Sequence, residues 1–142
     1  MHHIVYQSCA VGQPTLADLK ALLVQSRANN LRLHITGLLL YGNGSFLQVL
    51  EGPREAVQLI YGRIQLDSRH THVETLSDGP IQSRIFQDWS MGFQTLSGPD
   101  FARLTGYIDP YRSRFLDAHL PAIDEEMLYL LKSFVVNDGA RL

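Results

Sequence analysis

Two polar side chains stand among apolar neighbours where an extended chain would bury them: Tyr6 within IVYQS (4–8) and Gln48 within GSFLQVLEG (44–52). Strand period two puts Phe46, Gln48 and Leu50 on one face and Leu47, Val49 and Glu51 on the other, so Gln48 shares its side with large apolar groups. A primary amide offers two N–H donors and a carbonyl acceptor, and each group left unpaired in a dry layer costs roughly 1–3 kcal/mol. Gln48 therefore requires partners. A phenol beside it would make a buried hydrogen-bonded pair that either knits two strands together or forms the floor of a ligand slot.

Two further polar sets favour the slot. Arg27, Asn29 and Asn30 fall at the end of one amphipathic stretch, and Arg63, Asp67, Arg69 and His70 at the end of another. Singly these are ordinary: arginine near a helix C-terminus complements the dipole, and asparagine after a helix is a common cap. Helices lying side by side on one sheet face would bring both sets to the same edge of the domain, flanking a groove over Tyr6 and Gln48. No Cys/His spacing suits a metal, and the single cysteine, Cys9, is expected to be a small buried or half-buried filler.

The elements that must position these groups follow from periodicity. Ile4–Tyr6 reads as a first strand. Thr15 with Asp18 three residues later opens a helix bearing Leu16, Leu19, Leu22 and Leu23, expected to end near Asn29-Asn30. Residues 31–41, LRLHITGLLLY, read as a strand whose second half is apolar on both faces. Asn43-Gly44 marks a two-residue hairpin leading to a third strand through Glu51. Gly52-Pro53 reads as an N-cap and first-turn pair for a helix with Val57, Ile60 and Ile64 on its buried stripe, closing near Leu66. A fourth strand is expected from Val73 to Ile81, interrupted at Asp78-Gly79-Pro80, and a shorter fifth over 85–93.

The order β-α-β-β-α-β predicts an α+β, ferredoxin-like sheet with two helices on one face and an extra strand at its end. From 97 onward the pattern turns helical around Pro110 and Pro121, and these C-terminal helices are expected to cover the other sheet face. A unit over 1–95 and a helical extension over 96–142, packed as one compact body, are the expected organisation.

The chain has 142 residues with 45% apolar content, enough for a continuous core. A formal net charge of −2 gives no electrostatic reason to expect nucleic acid. The N-terminus has no signal-peptide pattern, and no apolar run approaches the roughly 20 residues that span a bilayer, so a cytoplasmic location without membrane contact is expected. The third strand lacks the aromatic pattern of RNA-binding ferredoxin-like modules, and SCAVGQPT (8–15) lacks the arginine that an acylphosphatase-like hydrolase would place after strand one. A plain small-molecule-binding or oligomerisation module is the competing reading, because a Tyr–Gln pair can be purely structural.

Five stretches in order, IVYQS (4–8), SRANN…ITGLLLY (26–41), GSFLQVLEGP (44–53), RIQLDSRH (63–70) and FQDWSM (86–91), closely resemble the BLUF family of blue-light sensors using flavin, over about residues 1–95. The resemblance implies that Tyr6 is the redox-active tyrosine and Gln48 the amide bridging it to flavin N5 and O4. Asn30 resembles the asparagine at the isoalloxazine edge. Arg27, Asn29, Arg63, Asp67, Arg69 and His70 match positions near the flavin ring edge or its ribityl and phosphate end. Trp89 and Met91 match the semi-conserved pair on the last strand, through which switching at Gln48 is expected to be felt. FAD is the expected cofactor, with FMN or riboflavin as the alternative forms.

By the same resemblance, light drives an electron and then a proton from Tyr6, and Gln48 rearranges its hydrogen bonds to give a reversible, red-shifted signalling state. A glutamine suits this because turning its amide over exchanges donor and acceptor ends without moving charge. A sensor rather than an enzyme is expected, passing its signal through the last strand and the C-terminal helices to a further copy of itself, as a homo-oligomer, or to a separate downstream protein.

Overall fold

The structure, a computed structural model, describes residues 1–87 and 90–95. Along the chain it contains β1 (His2–Ala10), α1 (Leu16–Leu33), β2 (Thr36–Gly42), β3 (Ser45–Gly52), α2 (Arg54–Gln65), β4 (His70–Pro80) and β5 (Gly92–Thr95). The strands form one sheet in the order β4-β1-β3-β2-β5; all neighbours are antiparallel except β2 and β5, which are parallel. This is the expected ferredoxin-like arrangement with a fifth strand added at the β2 edge. Trp89, and the C-terminal helices expected after residue 97, lie outside the described residues.

Local chemistry explains most boundaries. Thr15 and Asp18 form a reciprocal capping box, Thr15 Oγ1 accepting from Asp18 N at 3.1 Å and Asp18 Oδ2 from Thr15 N at 2.9 Å. Asn43 and Gly44 both have positive φ, 53° and 74°, as a type I′ turn requires. That turn sets the β2–β3 register, which runs unbroken from Thr36↔Glu51 to Gly42↔Ser45.

Five expectations are corrected. First, α1 does not end at Asn29-Asn30 but continues to Leu33, so residues 31–33 are helical and β2 starts only at Thr36; the stop is His34, in the left-handed conformation at φ 58°. Second, Pro53 is itself the N-cap of α2, which begins at Arg54. Third, β4 starts at His70, and its irregularities lie at Leu76 and around His72 rather than at Asp78-Gly79-Pro80. Proline is tolerated at 80 because it ends an edge strand. Fourth, β5 is confined to 92–95; the preceding residues are held by side chains instead of a ladder. Fifth, Cys9 is exposed, because β1 turns Ser8 inward and its neighbour outward.

The sheet is apolar on both faces. Tyr6, Leu39, Phe46 and Leu50 join Leu19 and Leu23 of α1 and Val57 and Ile60 of α2 in one core layer. On the reverse side Val5, Leu38, Leu40, Leu47 and Val49 are at most 2% exposed. Buried on both sides, β2 and β3 form a rigid floor for whatever side chains they raise toward the helices.

Candidate functional site

Tyr6 and Gln48 are direct partners in the β1–β3 register, both turned toward the helix layer and both nearly fully buried. The Tyr6 hydroxyl donates to Gln48 Oε1. Burial, and secondarily the nearby Tyr61 and Asp67, push the Tyr6 pKa well above its ordinary value, which keeps the phenol protonated and therefore a donor. With its oxygen committed to Tyr6, the amide directs Nε2 to the Met91 sulfur at 3.4 Å. A thioether is a weak acceptor, so this N–H₂ group retains capacity for a better one.

Above the pair lie two adjoining cavities, sharing Leu22, Ser26, Gln48, Ile64, Asp67 and Arg69 in their walls. The first reaches Tyr6, Leu39, Phe46 and His70. The second opens toward Gln25, Asn29, Asn30, Ile60 and Arg63. Both sit between α1 and α2, so the slot has aliphatic walls, an amide floor and a rim of asparagines and arginines.

Of the residues singled out in the sequence, Tyr6, Gln48, Asn29, Asn30, Arg63, Asp67, Arg69 and His70 line this slot. Arg27 lines neither cavity; its Nε and Nη2 donate to the Met91 carbonyl at 3.1 and 2.8 Å. Asn30, 2% exposed, donates from Nδ2 to the Ser90 carbonyl at 3.2 Å. The two α1 residues thus hold the backbone that presents Met91 to Gln48. Met91 is buried at the site.

The rim is internally ordered. Arg69 Nε and Nη2 grip Asp67 in a two-pronged ion pair, with contacts of 2.9, 3.0 and 2.5 Å, which lowers the Asp67 pKa. His70 Nε2 lies 2.5 Å from the Ile64 carbonyl and its Nδ1 2.7 Å from Ser8 Oγ. The carbonyl can only accept, so Nε2 carries the proton, and in the neutral ring Nδ1 accepts from the serine.

Residues missed in the sequence include Tyr61, whose ring centroid is 5.3 Å from that of Tyr6 and whose hydroxyl lies 2.5 Å from Thr75 Oγ1. Its spacing of four from Val57 on the buried stripe of α2 was the available signal. Glu51, 0% exposed on the opposite face of β3, was also missed. Burial raises its carboxyl pKa against the opposing pull of the Ile85 and Phe86 amides, Thr36 and Arg84.

The donor set fits a flavin. A planar tricyclic ring needs apolar surfaces for its faces, which Leu22, Ile64 and Phe46 offer, and a mixed hydrogen-bonding edge, which the Gln48 and Asn30 amides match. A polar or anionic tail would meet Arg63 and Arg69 at the rim.

Fold and site together define a ferredoxin-like ligand-binding domain with a buried tyrosine–glutamine pair under its slot. Residues 1–92 match the family model BLUF, described as sensors of blue-light using FAD. Photoactivated adenylate cyclase subunit beta of Euglena longa is 40% identical over 89 residues, 62% of this chain but only 10% of that subunit. The subunit beta of Euglena gracilis is 39% identical over the same length. Among solved structures, the dark-state BLUF protein BlrB superposes with a TM-score of 0.67 at 32% identity, covering 82% of this chain and 89% of that one. A bacterial light-regulated adenylyl cyclase gives 0.67 at 30% identity, covering 94% of this chain and 40% of the cyclase. The chain belongs to the BLUF family of flavin-using blue-light sensors.

Proposed function

We propose that this protein is a blue-light photoreceptor whose flavin, FAD in the first instance, lies in the slot between α1 and α2 with its ring edge toward Gln48 and Asn30. A bound flavin supplies the blue-light absorption and, when excited, the one-electron oxidising power. Tyr6 would give an electron, and then its phenolic proton by way of Gln48, to that ring and recover both in the dark, and Gln48 would answer the changed demand by rotating or tautomerising its amide. Phe46 and Leu50 keep water from scrambling that pattern. Asn29, Arg63, Asp67, Arg69 and His70 hold the tail and the outer ring edge. The relaxed amide returns in the dark.

In this reading residues 1–95 are the sensor and carry no catalysis of their own. The signal leaves through Met91, Trp89 and β5 into residues 96–142, and from there to a second copy of the chain or to a separate cytoplasmic effector protein. Relatives named as adenylate cyclases carry such an effector on the same chain, and the present chain spans about a tenth of their length.

The observation that carries the reading is the Tyr6–Gln48 hydrogen bond at the floor of a slot, with the other end of the amide resting on a weak acceptor. Purified protein is expected to be yellow and to show a flavin spectrum that shifts reversibly to the red under blue light. Colourless protein that stays unshifted after flavin is added would instead support a non-photoactive binding module.

A further inference from the structure

Glu51 follows Gln48 by three residues on β3 and therefore faces the other way, into the reverse side of the sheet. Its carboxylate is fully buried, which costs several kcal/mol unless the charge is well paired. Here both oxygens accept from the Ile85 amide at 3.0 Å, Oε1 also accepts from the Phe86 amide, and Thr36 Oγ1 donates at 3.3 Å. Arg84 closes the arrangement: Nη1 donates to Thr36 Oγ1 at 2.9 Å and to the Glu51 carbonyl at 3.2 Å, and Nη2 to the His34 carbonyl at 2.6 Å.

Residues 84–87 and 90–91 have no strand ladder to place them, so anchors from elsewhere must do so. Glu51 and Arg84 fix the upstream part; Arg27 and Asn30 fix the carbonyls of Met91 and Ser90. At the second of these anchors the Met91 sulfur lies on Gln48 Nε2. A single strand thus carries Gln48 on one face and, on the other, Glu51, which bonds the backbone of residues 85 and 86.

We propose that Glu51 is a positioning residue: with Arg84 it latches the backbone at 84–86 so that Met91 is held against Gln48, coupling the orientation of that amide to the seating of β5. Glu51 touches neither Tyr6 nor the slot and acts only through the segment it holds. Replacing one carboxylate oxygen by an N–H₂ group would face a donor with two donors and open the latch while keeping the shape of the side chain.

The chain has three methionines, Met1, Met91 and Met127, so methyl-labelled methionine gives three NMR signals, and Met91→Leu assigns the relevant one. In flavin-free Glu51→Gln the Met91 methyl resonance is expected to leave its wild-type position. In flavin-loaded protein, dark recovery of the red shift should change by about threefold or more, and combining Glu51→Gln with Met91→Ala should add little to Met91→Ala alone. A Met91 signal at its wild-type position in folded Glu51→Gln, or full additivity with Met91→Ala, would overturn the proposal. If Glu51→Gln does not fold, Arg84→Gln, which leaves the carboxylate on both amides, is read by the same two criteria. The kinetic arm rests on the photoreceptor reading and the flavin-free NMR arm does not: wild type without a red shift defeats the former alone.

Discussion

Tyr6 and Gln48 face each other across the β1–β3 register, and the phenol donates its proton to the amide oxygen. The donor direction is fixed because burial keeps the phenol protonated, so the amide has one resting orientation and one inverted alternative. Removing either partner separates signalling from binding. Tyr6→Phe leaves Gln48 Oε1 without its donor and Gln48→Leu strands the Tyr6 hydroxyl, each costing roughly 1–3 kcal/mol. Both variants should fold and retain flavin, yet neither should show the red shift under blue light; a normal photocycle in either refutes the assigned role.

The raised pKa of Tyr6 also predicts a pH signature. In the unfolded chain tyrosine ionises near its ordinary value of 10.0, whereas the buried phenol holds its proton to higher pH. Above about pH 10 the unfolded state binds fewer protons, so stability falls as pH rises and is independent of this group below that point. Denaturation midpoints between pH 9 and roughly 11.5 should therefore drop more steeply for wild type than for Tyr6→Phe. Parallel slopes would show that Tyr6 is not sealed from solvent.

Gly37 lies on β2 opposite Leu50 of β3, and a Cβ there would lie 1.9 Å from the Val49 carbonyl oxygen. That neighbour is backbone in a strand paired on both sides and cannot move aside. Gly37→Ala is expected to cost upwards of about 3 kcal/mol, read from chemical denaturation, and to loosen flavin retention by displacing Gln48. An unfolding midpoint equal to wild type would contradict this packing.

What the sequence made legible was set by neighbours along the chain. The Thr15–Asp18 capping box, the Asn43-Gly44 turn and the period that aligns Gln48 with Phe46 and Leu50 are each local, and strand order then brought Tyr6 beside Gln48. What escaped was set from a distance. Asn30 looked like a helix terminus because asparagine usually caps; it stays helical because its amide bonds the Ser90 carbonyl 60 positions away. Arg27 matched a ligand-edge position, and no local pattern announced that its Nε and Nη2 bond the Met91 carbonyl. Residues 85–93 read as one strand, whereas the Ile85 and Phe86 amides are claimed by the Glu51 carboxylate and the Ser90 and Met91 carbonyls by Asn30 and Arg27.

The strand order has a mechanical consequence. β4 and β5 occupy opposite edges of the sheet, so the eleven residues between them, 81–91, must cross four interstrand gaps, about 19 Å in all, with at most about 40 Å of extended chain. The reach of the tether is about twice that span. A pleated strand can slide on its neighbour without turning its faces over only by two residues, about 6.7 Å, so the four-residue register of β5 on β2 admits no smaller step that keeps its faces. Any shift of β5 along β2 that keeps Phe93 in the core is therefore a discrete step rather than a continuous slide.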